Sequence, residues 1–289
     1  MRVVIAGGTG FLGSALASSL RIDHHEITVV TRHPNVHDEV PWTDLPMVAE
    51  EADVVVNLAG ESLDAGRWTA ARKGSILESR VNATDAVVKA MSTAMQRPKV
   101  FLNASAIGFY GAQGGAATED SPAGSDFLAS VCVHWEAAAM AAAWMTRVVL
   151  LRTGLALDGN GGALPKLALP FRLFAGGRVG SGNQHWSWIH REDWVRMVRW
   201  AIETEAIKGP LNVTAPSPVT NREFTQALAH ALHRPALAPA PAFAMRLLLG
   251  EMADAMILDG RRVLPAKAEM NGFEFRYPDL DSALRQIYQ

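Results

Sequence analysis

Near the N-terminus the run Gly7-Gly8-Thr9-Gly10-Phe11-Leu12-Gly13 places glycine where a backbone would have to hold a pyrophosphate. Gly7 permits a tight turn out of a strand. Gly10 has no side chain to keep phosphate oxygens away from the main chain. Gly13 allows a following helix to pack close to the sheet. The first N–H groups of that helix, at the positive end of its dipole, would face the phosphates. A glycine triplet alone is also what an ordinary turn contains, so its flanks decide. Arg2-Val3-Val4-Ile5-Ala6 reads as a buried strand, Ser14 to Leu20 as a helix and Ile27 to Val30 as a second strand. Strand, glycine turn, helix, strand is the unit that cradles a dinucleotide.

The next chemistry-bearing position follows that second strand. NAD sites place an acid there for the ribose 2′-hydroxyl. This chain has Thr31-Arg32-His33 and no acid. A guanidinium suits a 2′-phosphate that a carboxylate would repel, so NADP is expected over NAD. A solvated surface arginine is the plainer alternative. Farther on, Leu58-Ala59-Gly60 ends another apolar run, and its small residues would let a ribose or adenine approach. An unremarkable exit from a strand fits the same residues.

These positions need a frame, and composition bounds it. The 289 residues are 49% hydrophobic and 19% charged, ordinary for a globular protein, and suffice for one large domain or two joined ones. A formal charge of −2 argues against a nucleic-acid or membrane-surface function. Cys132 is the single cysteine, so there is no intrachain disulfide and no CxxC metal site; a cytoplasmic location is expected. The apolar start resembles a secretory leader, but removing it would remove the first strand. No apolar run reaches the ~18 residues of a membrane span.

Further elements follow in order. A short third strand is expected at Val40-Pro41-Trp42 and a fourth at Asp53 to Leu58. A long helix runs from Trp68 to Met95, with Thr69 as its cap. Phe101 to Ser105 is a strand, residues 124–143 a second long helix, and Arg147 to Arg152 a strand. Pro165 and Pro170 frame a short helix, Gln184 to His190 is extended, and Asp193 opens a helix to Glu203. Leu211 to Val213 is a short strand. Thr220 and Glu223 form a capping box for a helix to His233. A strand is expected at Phe273 to Arg276 and a helix at Leu280 to Tyr288. The alternation predicts an α/β fold, a doubly wound Rossmann-like parallel sheet with a smaller C-terminal α/β substrate cap. The binding domain would cover 1–157, with a return segment at about 184–212, and the cap 158–183 and 213–289.

The order of these motifs resembles the extended short-chain dehydrogenase/reductases. It is most similar to an atypical group, the epimerase-family proteins with a C-terminal domain of unknown function. Asn57-Leu58-Ala59-Gly60-Glu61, Glu78-Ser79-Arg80, His134-Trp135-Glu136-Ala137 and Trp188-Ile189-His190 carry that likeness. The resemblance implies NADP(H) contacts along Gly7, Thr9, Gly10, Phe11, Leu12 and Gly13, and at Thr31, Arg32, Leu58, Ala59, Gly60, Arg80, Gly154, Leu155 and Ala156. It implies a small-molecule substrate, a sugar or sugar nucleotide among the candidates, and a homodimer through the helices at 69–95 and 124–143.

One departure stands out. The superfamily's proton-transferring Tyr and its Lys partner fall at Leu128 and Cys132 when Glu136 is taken as the family's helix acid. Leucine has no proton to give, and a neutral thiol does not replace an ammonium. Ser105 matches the superfamily's catalytic serine, and Tyr110 is the only tyrosine placed near a nicotinamide. Both are therefore candidate catalytic residues, although each also reads as a packed side chain. Glu61 as acid or base and His190 as catalyst are weaker candidates than their structural readings. Trp186 and Trp188 alternate along an extended stretch and read first as packing aromatics; with Gly180 to Gln184 beside them they are also a candidate substrate wall. Two functions are consistent with these features: an NADP(H)-dependent oxidoreductase or epimerase-like enzyme, and a non-catalytic NADP(H)-binding sensor or scaffold.

Overall fold

β1 (Arg2–Ala6) is an interior strand of a seven-stranded sheet in a computed structural model that describes residues 1–112 and 114–289. It pairs in parallel with β2 (Glu26–Thr31) on one side and β4 (Val54–Asn57) on the other. Beyond β2 comes β3 (Glu39–Pro41). Beyond β4 come β5 (Val100–Ala106), β6 (Arg147–Thr153) and, at the edge, β11 (Gly209–Val213), all parallel. The order turns outward in both directions between β1 and β4, the switch point where such sheets hold ligands at their carboxyl ends.

Both faces of this sheet are covered, which is why its strands are apolar without alternation. Val3 and Ile5 pack against Leu16 and Leu20 of α1 (Phe11–Ile22) and Trp194 and Val198 of α6 (Arg191–Glu203). Val4 and Phe101 point the other way, against Val87 and Met91 of α3 (Ala70–Thr93) and Ala139 of α4 (Phe127–Met140). Thr69 accepts from the Arg72 N–H as the α3 cap. No helix among the described residues is long and apolar enough to cross a membrane.

Small elements occupy the remaining chain. β7 (Leu155–Asp158) pairs with β8 (Gly161–Gly162) and β10 (Trp188–His190), and β9 (His185–Trp186) with β12 (Val219–Thr220). With α5 (Leu164–Arg172), α7 (Asn221–Ala231) and α11 (Leu280–Tyr288) they enclose a separate core around Phe171, Trp186, Trp188, Phe224 and Leu284. The capping box of α7 is complete. α8 (Ala242–Leu249) and a π-turn over Asp254–Leu258 precede α10 (Ala266–Met270).

Three expectations are corrected. The second long helix is shorter, because Asp126 caps it at the Ala129 N–H, and its alanines beyond Met140 turn into β6. Phe273 to Arg276 is not a strand: the Asp193 carboxylate accepts from the Arg276 and Tyr277 N–H groups at 2.9 and 2.7 Å, doing what a neighbouring strand would do. α5 continues two residues past Pro170.

Candidate functional site

The carboxyl ends of β1 and β4 meet at the glycine loop. Gly7 adopts φ +78°, and a Cβ there would lie 2.9 Å from the Ala59 nitrogen. The Leu58 and Ala59 backbone is therefore pressed directly against the turn. Gly10 caps α1, and a Cβ on it would meet only the Gly7 carbonyl, at 3.3 Å. Its outer side is open, as a pyrophosphate requires. Gly13 proves necessary for a reason other than the expected helix–sheet contact. Its Cβ would fall 2.5 Å from the Gly7 oxygen, so it seats α1 on the loop itself. The first N–H groups of α1 have no intrahelical acceptor and point into this space. The residues present thus fit a dinucleotide phosphate. A cleft of about 450 Å³, lined by Gly8, Thr9, Ser14, Ser18, Arg21 and Asp38 among others, adjoins the loop.

Thr31 ends β2, and Arg32 follows it, exposed, with no carboxylate partner among the described residues. Opposite, Gly60 lies against Arg80, whose Cγ would sit 3.2 Å from a Gly60 Cβ. The Arg80 guanidinium donates to the Ile76 and Glu61 carbonyls at 2.9 and 3.0 Å and stacks on Trp135. Gly154 is held open by close backbone: its Cβ would be 2.6 Å from the Ser187 carbonyl oxygen. Leu155 and Ala156 begin β7 beside it. The hairpin from β7 to β8 folds over Phe11, whose ring leaves no room for a Cβ on Gly161 or Gly162. Leu12 is half-buried against the α1–α6 core. The sequence-named cofactor positions from the loop, β2, β4, α3 and β7 therefore line the switch-point end of the sheet.

The two catalytic candidates have a different setting. Ser105 is buried and donates its hydroxyl hydrogen to Glu136 Oε1 at 2.7 Å. Arg152 grips the same carboxylate with Nε and Nη2, both at 2.8 Å. Arg152 Nη1 donates to the Tyr110 hydroxyl at 2.9 Å, and that hydroxyl donates to Asn212 Oδ1 at 2.6 Å. Glu119 accepts from the Asn212 and Lys267 backbone N–H groups, which brings α10 into the chain of contacts. Tyr110 is only 1% exposed, and burial raises its phenol above the ordinary range. The hydroxyl is enclosed and already donates to Asn212. The Ser105 hydrogen is likewise committed.

On α4, Cys132 is buried, its thiol 3.7 Å from the Ala106 carbonyl. Burial first, then the Glu136 charge, push that thiol up to about 11. Leu128 packs toward Gly108. The Glu61 carboxylate is paired with Arg72. His190 caps α6, accepting from the Glu192 N–H at Nδ1 while Nε2 meets Gln286. The expected aromatic wall is also corrected: Trp186 and Trp188 turn into the small core, where Trp188 donates to the Ser217 carbonyl. A larger cleft of about 750 Å³ between α7 and α11 involves none of the dinucleotide positions. Two of its three carboxylates, Glu223 and Asp279, are occupied in capping helices, and the third, Asp281, lies in the first turn of α11.

Two buried polar groups were not singled out from sequence. One is Glu136–Arg152–Tyr110–Asn212. The other joins Asn57 and Asn103, 2.8 Å apart, with Thr84 and the Trp135 indole. Asn57, Asn103 and Arg152 each interrupt an otherwise apolar strand, and that interruption is the signal available in sequence.

Residues 3–214 match the NAD dependent epimerase/dehydratase family, and residues 240–287 match a domain of unknown function, DUF1731. Curated relatives include the chloroplastic SDR39U1 homolog of Arabidopsis thaliana, 41% identical over all of this chain and 87% of its own. The epimerase family protein YfhF of Bacillus subtilis is 40% identical over 99% of this chain and 98% of its own. Among solved structures, the human epimerase family protein SDR39U1 with NADPH superimposes with a TM-score of 0.95. It is 36% identical and covers 100% of this chain and 99% of its own.

Proposed function

The chain belongs to the NAD dependent epimerase/dehydratase family, and we propose that it binds NADP(H) at the switch point and acts as an oxidoreductase or epimerase-like enzyme on a small polar substrate. The observation that carries the binding is the glycine loop, with its open outer side, facing an unpaired Arg32. In this reading Gly7 to Gly13 receive the pyrophosphate, Thr31 and Arg32 the 2′-phosphate. Leu58, Ala59 and Gly60 pass beneath the adenosine half, and Arg80 with Gly154, Leu155 and Ala156 flank the rest. The NADPH bound to human SDR39U1 supports the choice of cofactor. The cofactor supplies hydride transfer at its nicotinamide. The chain's residues supply position: Arg80 is locked by two carbonyls, and the β7–β8 hairpin over Phe11 excludes water from one side.

A second reading has a specific observation behind it. Leu128, the buried Cys132 and the enclosed Tyr110 and Ser105 leave no evident proton donor beside the nicotinamide. A non-catalytic NADP(H)-binding sensor or scaffold needs none. The test is nicotinamide oxidation and reduction, followed by absorbance, against a panel of carbonyl compounds, alcohols and sugar nucleotides. Steady turnover supports the enzyme. NADPH binding with no turnover across the panel supports the sensor. Absence of NADPH binding refutes both. A homodimer through α3 and α4 is part of the same proposal, and sedimentation equilibrium tests it.

A further inference from the structure

α8 has the sequence Ala-Phe-Ala-Met-Arg-Leu-Leu-Leu, yet none of its residues is buried. Phe243, Leu247 and Leu248 stand exposed on it. Leu173, Phe174 and Leu237 join them, the six ranging from 65 to 82% exposure. The chain links these residues through one pair of segments. Segments 176–180 and 238–240 run side by side, linked by Ala238 N–H to Gly176 O, Ala240 N–H to Arg178 O and Gly180 N–H to Ala240 O. Leu173 and Phe174 enter this pair from one end, and α8 leaves it at the other. Exposed apolar groups of this kind, one at each end of the pair, mark an interaction site.

Charge is uneven around it. Segments 164–184 and 214–249 hold six cations and a single carboxylate, Glu223, in a chain whose formal charge is −2. Lys166 and Arg246 are paired, with Asp64 and Asp254. Arg172, Arg178, Arg222 and Arg234 have no carboxylate partner among the described residues. Arg234 lies over the Phe174 ring, Arg172 directly precedes Leu173, and Arg178 lies on the ladder that leads to α8. Apolar side chains and unpaired guanidiniums are thus neighbours at the Leu173–Phe174 end, and the ladder continues from there to α8.

We propose that this surface docks on an anionic lipid bilayer, with the aliphatic and aromatic side chains entering the interface and the arginines meeting lipid phosphates. A second copy of the chain is a poorer occupant, because a symmetric contact would set this cationic patch against its like-charged copy. The side chains project from a short helix and two chain turns, and they line neither of the two clefts described above. A bilayer accepts such projections without a complementary shape. The overall charge, which argues against a membrane surface, averages this region with an acidic remainder.

The test uses the full chain with NADPH and vesicles of phosphatidylcholine, with and without phosphatidylglycerol, in a flotation assay. Binding to the anionic vesicles that falls with added salt, and little binding to the neutral ones, is expected. Leu247→Gln with Leu248→Gln should abolish it. Arg172→Gln, Arg178→Gln and Arg234→Gln together should weaken it roughly a hundredfold, about fivefold for each cation lost near an anionic surface. All these side chains are exposed or half-exposed, and unchanged NADPH affinity checks the fold of each variant. Three results overturn the proposal: no binding to anionic vesicles, equal binding to both kinds, or binding that the variants retain. A leucine variant that instead converts a dimer to a monomer, with no vesicle binding by the parent chain, assigns the surface to self-association.

Discussion

Arg32→Glu examines the cofactor assignment at its most exposed point. Arg32 has no acid partner and stands in solvent, so its interaction with a bound 2′-phosphate is that of charges in a nearly aqueous medium. A unit pair at ~4 Å there is worth about 1 kcal/mol. A phosphate monoester carries about −1.5 to −2 at neutral pH, so neutralising Arg32 as glutamine costs roughly 1.5–2 kcal/mol, or about 10–30-fold in NADPH affinity. Reversing the charge doubles that, to several hundredfold by the same ~1 kcal/mol per pair. NADH has no 2′-phosphate, so its affinity should barely move. Titrating both cofactors by tryptophan fluorescence or calorimetry gives the two ratios. The NADPH loss should shrink as salt rises, because a Debye length of about 8 Å at physiological salt already screens an exposed pair. Equal losses for NADPH and NADH would refute the 2′-phosphate assignment, and so would an unchanged NADPH affinity.

Gly13→Ala places a Cβ 2.5 Å from the Gly7 carbonyl, so it should remove NADPH binding while circular dichroism still reports a folded chain; full affinity would show that α1 does not need that contact. Arg152→Met leaves the buried Glu136 with one hydrogen bond from Ser105. It should cost about 3–5 kcal/mol in denaturant unfolding followed by tryptophan fluorescence, with Glu136→Gln in the same chain recovering much of it. A loss below about 1 kcal/mol, or no recovery, would mean that the pair is not energetically buried. Cys132, with its thiol at about 11, should react with a disulfide reagent at pH 8 far more slowly in the native chain than in urea. Thiolate grows as pH rises toward that value, so the native rate should climb about tenfold per pH unit; equal native and unfolded rates would contradict the burial.

The cofactor end of the molecule was legible because its requirements are local. A turn at positive φ, an open approach and a close helix seat each demand glycine at one position, and Gly7, Gly10 and Gly13 meet them within seven residues. Thr69 and the Thr220–Glu223 box were likewise readable, since a cap needs only its own first turn. What was not legible depends on contacts distant in sequence. Phe273 to Arg276 has the composition of a strand, but Asp193, some eighty residues away, satisfies its N–H groups. Trp186 and Trp188 do share a face, as alternation implies, but only the packing of Phe224 and Leu284 makes that face interior. Tyr110 follows β5 by four residues, a local fact. Its hydroxyl direction is set by Asn212, 102 residues later.

That direction bears on the chemistry. A serine that donates its hydrogen to a carboxylate held by two arginine nitrogens has only lone pairs left to offer. Ser105 therefore cannot polarise a substrate carbonyl by donating to it while Glu136 keeps that hydrogen. Tyr110 is held between the Arg152 guanidinium and the Asn212 amide oxygen, and its raised phenol is a poor proton source at neutral pH. Cys132 is buried with a thiol near 11, and Leu128 has nothing to give. If hydride moves at the nicotinamide, none of these four residues supplies the accompanying proton in this arrangement. Proton delivery by another donor should leave a turnover rate with no pKa assignable to any of the four. A turnover rate with a sharp pKa assigned to a side chain, abolished by Tyr110→Phe, would instead show that the buried network opens during the reaction.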